Sequence, residues 1–278
     1  MSPLQKAPPQ QQQQQPQQPL QRQQLQQPQN IHWNLLKELD IYQVSKHCHN
    51  QIGSLISFAA LVIGGRVSRP ENPIHTNVEL FPSTDCKIPA LPEPRYDHVS
   101  FATEDGTVVT CGGRNLDSRY GFQDCLALNI SSKQWQRGVI GNLDQARIDA
   151  SAVTMPVGVF VLGGNWLKGR KGRSWAVRED ESTEKRSLFL KSGSTDWVYG
   201  PTLPIKHKWG CTLSISKNKF LMISGWNLRE FDTSIGGPTS DTGWSPENTY
   251  PELQDQRHGS YGCARLGNKV IQCTIAHV

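Results

Sequence analysis

"TVVTCGGRNLD", residues 107–117, runs a β-type stretch straight into a glycine pair. Glycine weakens a strand interior, so two in succession mean that the backbone there needs room. The device recurs along the chain. "ALVIGG" ends on Gly64-Gly65, "TVVTCGG" on Gly112-Gly113 and "GVFVLGG" on Gly163-Gly164, while "FLMISG" carries the degenerate pair Ser224-Gly225. The spacing is about fifty residues, stretched in the last step by a basic insertion.

Two further landmarks keep the same beat. "PALPEPR", "GNLDQAR", "PTLPIKH" and "PELQDQR" place Leu91, Leu143, Leu203 and Leu253 ahead of Arg95, Arg147, His207 and Arg257. Trp135, Trp197 and Trp244 then close their units, with Cys86 standing where the first unit's Trp belongs. Three landmarks in constant order define an internal repeat.

Each unit reads as β-rich. In the second, "HVSFAT" is a strand, "EDG" a tight turn and "TVVTCGG" a buried strand; "CLALNI" and "QWQRGV" supply a third and an edge strand. Asp105-Gly106, Gly267-Asn268 and "SKNK" at 216–219 carry turn chemistry. Only residues 33–46 allow a short amphipathic helix, through Leu35, Leu36, Leu39 and Ile41. Four short antiparallel strands repeated at this period are the arithmetic of a β-propeller blade.

On these residues the chain resembles kelch-repeat proteins: a strand ending in Gly-Gly, a later strand, then a spaced Trp. The resemblance covers roughly residues 55–273. It implies an all-β kelch-type propeller of about four full blades and a partial one, within a domain spanning 55–278. It also implies that each glycine pair ends a strand where blades crowd, and that each Trp packs between blades. "KVIQC" at 269–273 matches "TVVTC", yet Thr274-Ile275 stand where Gly-Gly belongs. A ring of six units would take about 300 residues, so the chain reads as an incomplete propeller.

Residues 1–32 are a different material. "PPQQQQQQPQQPLQRQQLQQPQ" is nearly all Gln and Pro, cannot offset ordering entropy by apolar burial, and reads as a disordered tail. Residues 33–54 form a short helical or irregular lead-in. Neither an apolar signal core nor a membrane-length run is present; "SLISFAALVIGG" is far short of ~20 apolar residues. The net charge of +5 is mild, and "KGRKGR" at 168–173 lacks aromatics at a stacking period, so no nucleic-acid partner is expected.

Seven cysteines are present. Cys263 and Cys273 are symmetric about Asn268, which a hairpin turning there would set opposite each other, and Cys111 and Cys125 lie on adjacent strands. "TDCKIPALPEPRYDHVSF" with its neighbouring cysteines resembles the kelch-like propellers of secreted or extracellular animal proteins, which implies two disulfides. The alternative is buried thiols in a cytoplasmic propeller. Asn129-Ile130-Ser131 is a glycosylation sequon. The compartment stays open between these readings.

Catalytic signals are weak. "KHCH" at 46–49 has no second cluster at metal spacing. Galactose oxidase, the enzymatic precedent among kelch-like propellers, uses a Tyr/His copper set that this sequence does not reproduce. Tyr96-Asp97-His98 falls at a strand start where sibling units carry "IDA", "KWG" and "HGS", and reads as structural. No catalytic residue, cofactor or metal is expected. The expected function is recognition of a protein partner through the connections after the glycine strands, residues 66–77, 114–124, 165–187 and 226–243. Arg114, Arg119, Trp166, Arg170, Trp175 and Arg229 are the candidate contacts, since Trp and Arg dominate interface energies. The alternatives are a galactose-oxidase-like enzyme or carbohydrate-active module, and a truncated product without independent function.

Overall fold

The structure, a computed structural model, describes residues 60–65, 75–81, 88–115, 121–129, 132–171, 174–178, 185–224, 227–246, 261–266 and 269–274. The Gln/Pro tail and the lead-in lie outside the described residues, as do Arg119 and Gly225.

The described chain is all-β, and every ladder is antiparallel. β1 (Ala60–Ile63) pairs with β2 (Val78–Phe81). β3 (Val99–Ala102), β4 (Val108–Cys111), β5 (Cys125–Asn129) and β6 (Gln134–Arg137) form a four-stranded meander in chain order. β7 (Arg147–Ile148) precedes β8 (Ser151–Met155) and β9 (Gly158–Leu162), and β10 (Asn165–Lys171) with β11 (Ser174–Arg178) interrupts the next meander. β12 (Ser187–Lys191) and β13 (Trp197–Tyr199) complete it, in the order β13-β12-β9-β8. β14 (Cys211–Ser214), β15 (Lys219–Ser224) and β16 (Asn227–Asp232) make a three-stranded sheet, and β17 (Tyr261–Leu266) pairs with β18 (Lys269–Thr274). The four strands expected per unit are therefore met in the second and third units. In the fourth, Trp244 supplies a single bridge to Phe231 after a short 3-10 turn at Asp241–Gly243.

Burial explains the stacking. β3 alternates buried and partly buried residues, whereas β4 and β9 are buried on both faces. A strand buried on both sides needs a sheet against each face. One apolar layer joins Leu61, Ile63 and Leu91 to Val108, Leu126 and Leu128, between the first and second sheets. The next joins Phe101, Val109 and Ala127 to Val159, Val161 and Leu188. A third gathers Phe160, Phe189, Phe220 and Phe231 between the third and fourth. The sheets thus stack face to face in chain order.

β3, β8, β14 and β17, the first strands of successive sheets, adjoin one another in a row. Thr154 Oγ1 donates to the Ala102 carbonyl at 2.6 Å, and Thr212 Oγ1 donates to that of Ala152 at 2.8 Å, tying neighbouring members together.

The three sequence landmarks meet in space. Gly65 N–H donates to the Arg95 carbonyl at 2.9 Å, Gly113 N–H to that of Arg147 at 2.8 Å, and Gly164 N–H to that of His207 at 2.7 Å. A Cβ on Gly112 would stand 2.6 Å from the Arg147 oxygen, and one on Gly163 2.0 Å from the His207 oxygen. The glycine pair is required because the next unit's backbone is hydrogen-bonded against it. Leu91 and Leu143 methyls fill the space beside Gly64 and Gly112. Trp135 Nε1 donates to the Pro89 carbonyl at 2.9 Å and Trp197 Nε1 to that of Gly141 at 3.0 Å, fastening each outer strand to the segment beside the preceding sheet.

A disulfide joins Cys111 to Cys125, directly opposite each other on β4 and β5 and both buried. Cys211, at the start of β14, is also disulfide-bonded. The Cys263–Cys273 expectation is corrected. β17 and β18 turn through two residues, so Cys263 faces Gln272 and Cys273 faces Gly262. The symmetry point lies between Gly267 and Asn268 rather than on Asn268.

Candidate functional site

The basic landmarks among the described residues, Arg95, Arg147 and His207, are built into the protein rather than offered to solvent. Arg95 is fully buried; its guanidinium donates to the Gly112 carbonyl at 3.2 Å and pairs with Glu93 and Asp124 at 2.6 and 2.8 Å. Phe122 lies beneath it, 4.1 Å away. Arg147 repeats the arrangement, donating to the Gly163 carbonyl at 2.7 Å and pairing with Asp144. Each Arg thus receives a hydrogen bond from the preceding unit's second glycine and gives one to its own unit's first. In the fourth unit His207 replaces Arg, and its Nε2 meets Ser151 Oγ at 2.6 Å instead.

Two residues after each of these three landmarks the chain turns left-handed. Asp97, Asp149 and Trp209 hold φ of 56°, 59° and 52°. Such values are uncommon outside glycine, and for a bulky aromatic they mark a strained position. A relay keeps them there: Asp149 N–H donates to the Asp97 carbonyl, and Trp209 N–H donates to that of Asp149, both at 3.1 Å. These residues stand just ahead of β3, β8 and β14. Three consecutive units therefore bring two carboxylates and an indole to one head of the strand row.

The residues after the glycine pairs return to the same place. Arg114 bridges backbone to backbone with Tyr96, and Asn165 pairs with Ile148. Arg114 forms an ion pair with Asp97 at 2.7 Å and lies 4.9 Å over the Tyr96 ring. Asn165 Nδ2 donates to Asp149 Oδ2 at 3.3 Å. Burial first, and then the Asp97 charge, push the Asp149 carboxyl up to about 7, against the opposing pull of Arg114 and hydrogen bonds from Asn165 and Trp209. His98 and His207, buried nearby, are held down to about 3 chiefly by burial, with Arg95 adding to the effect at His98.

No family model matches this chain, and no curated protein matches it.

The expected contact residues divide. Arg114 is at this head, ion-paired and partly buried. Trp166, also partly buried, sits opposite Arg147 where β10 joins β7. Within segment 165–187, β10 and β11 pair as a β-ribbon with a bulge between Leu167 and Gly169, and Arg170 is opposite Trp175 near its end. Arg229 is corrected outright. It lies on β16 opposite Met222, only 6% exposed, and is not a surface contact. Asp97, Asp149 and Trp209 were missed as a group. "RYD", "RID" and "HKW" carried the signal, a fixed offset from the landmark, but residue identity changes from unit to unit.

Among the described residues no three His, Cys, Asp or Glu side chains gather as a metal-ligand group, and no helix is long and apolar enough to cross a membrane. A separate cleft of about 430 Å³ opens between the second and third sheets at their turn ends, lined by Thr103, Glu104, Thr154, Leu190 and Ser192 among others.

Proposed function

We propose that this chain is a kelch-type β-propeller that recognises a protein partner, without catalysis, through the face bearing Arg114, the β10–β11 ribbon and Trp209. One observation carries this reading: connections from successive units converge on one head of a stack of sheets, while the repeat landmarks are consumed in joining the sheets. A rigid stack with side chains displayed at one end suits recognition. Half-exposed Trp209 and the cross-strand pair Arg170 and Trp175 supply the residue types that dominate interfaces. The buried Cys111–Cys125 bridge supports an oxidising compartment.

The test is affinity capture with the full chain, compared with an Arg170→Ala/Trp175→Ala variant whose thermal transition is unchanged. Loss of the same captured protein supports the reading. Undiminished capture removes the ribbon from it, and stoichiometric copper in purified protein overturns it in favour of an oxidase.

A further inference from the structure

Asp149, Asn165 and Trp209 have features that the recognition surface alone does not require. The Asp149 carboxyl is set deep among protein atoms beside a second carboxylate, that of Asp97. Asn165 is only 4% exposed, and its Oδ1 is buried with no hydrogen-bond partner among the described residues. An acceptor left in that state is destabilising, so something has to justify it. Trp209 is held in a strained left-handed conformation with half of its surface, 49%, facing solvent. We propose that this head of the strand row receives the ammonium or guanidinium group of a lysine or arginine side chain from a protein partner, held by the Asp149 carboxylate and Asn165 Oδ1 against the Trp209 indole.

The chemistry of the lining selects a donor-rich cation. Oxygen acceptors dominate, and the Arg114 guanidinium, ion-paired with Asp97, is shared with Asp149, so that two carboxylates face one guanidinium. An indole adds cation–π attraction, of the kind that Lys208 Nζ makes with that ring at 5.1 Å, and an incoming cation competes with Lys208 for it. A hard divalent ion is disfavoured by the Arg114 guanidinium beside the same carboxylates and by the small number of oxygens. The inference rests on reading this face as the recognition surface and names the partner group that it takes.

Binding should expel a proton. The groups facing Asp149 are the charged Asp97 and Arg114 and the neutral Asn165 and Trp209, and the carboxyl titrates at about 7. An arriving cation favours the ionised form, so affinity rises about tenfold from pH 6 to pH 8.

The test uses the full chain and three probes: N-acetyl-lysine methylamide, N-acetyl-arginine methylamide and the uncharged N-acetyl-norleucine methylamide. The Trp209 indole N–H is followed by NMR at pH 6, 7 and 8, its signal assigned through Trp209→Phe. The expected result is saturable millimolar shifts with the two cationic probes, none with norleucine, and the tenfold pH trend, which Asp149→Asn abolishes. Equal response to norleucine, or a flat pH profile in the unmodified chain, overturns the proposal without recourse to any variant. Calcium chloride shifting the indole at micromolar concentration while the cationic amides do not also overturns it. Failure of the unmodified chain to capture any protein, with amide binding intact, refutes the recognition reading instead.

Discussion

Gly112 and Gly138 share a left-handed backbone, with φ of 70° and 76°, but not a neighbourhood. A Cβ on Gly112 meets the Arg147 carbonyl at 2.6 Å, whereas one on Gly138 meets nothing within 4 Å. Gly138→Ala should therefore cost about 1 kcal/mol for the backbone conformation alone. Gly112→Ala adds the collision and the threatened Gly113–Arg147 hydrogen bond, for at least about 3 kcal/mol. Urea midpoints of the two variants measure the difference, and equal values would remove crowding as the reason for the pair. Arg147→Met should be costlier still, about 3–5 kcal/mol, since it leaves two carbonyls without their donor and takes from Asp144 one of its two guanidinium partners. Arg147→Lys should not restore it, because one ammonium cannot reproduce the fork. The glycines and the arginine were legible in the sequence because each repeats at a fixed offset. Arg229 was misjudged for a physical reason: the third strand starts only two residues after Ser224-Gly225, so the early part of the supposed connection, Arg229 included, is β16.

The hairpin of β4 and β5 is the element whose pairing the sequence made easiest to read, since Cys111 and Cys125 fall on adjacent strands of one unit. Their bridge closes a loop with a sequence separation of 14. A Cys111→Ala/Cys125→Ala variant should lose about 3 kcal/mol of stability, because the unfolded chain regains the entropy of that loop. Chemical unfolding with and without reductant checks this, and reductant should leave the double variant unaffected at that hairpin. The hairpin of β17 and β18 teaches the opposite lesson. Its two cysteines looked symmetric, but a two-residue turn shifts the centre by half a residue, and register is decided by turn length rather than by side-chain identity. The β10–β11 ribbon was likewise hidden. Its charged, glycine-bearing residues carry no strand alternation, and pairing across the bulge is what orders them.

Across the whole molecule the stack of sheets sets a pH response. His98 and His207 titrate at about 3 in the folded protein and near 6.5 when exposed. Their stability contribution is complete above pH 6.5 and is lost as pH falls toward 3. Asp149 runs the other way: its folded value of about 7 exceeds 3.8, so its contribution is present below pH 3.8 and is lost as pH rises toward 7. Between about pH 4 and 6 unfolding takes up two protons at the histidines and releases one at Asp149. The net slope is about 1.4 kcal/mol per pH unit, with stability falling on acidification. His207→Gln should flatten that slope, and Asp149→Asn should roughly double it, in unfolding free energies measured from pH 4 to 6. The repeat, the β class and the inter-sheet Trp contacts could all be foreseen, because periodicity reports on contacts that recur. The acid pair at the head of the row could not, because it exists only when separate units close up.

β9 and β12 keep unbroken pairing, Leu162 against Ser187, although the chain between them departs to build an entire ribbon anchored at β7. The join behaves as a socket: what is plugged in beyond Trp166 can be lengthened, shortened or exchanged while the sheet beneath stays in step. Foreign peptides grafted between Lys171 and Ser174 should be displayed at the free end of this ribbon at little expense to folding, making this the natural port for redirecting the protein.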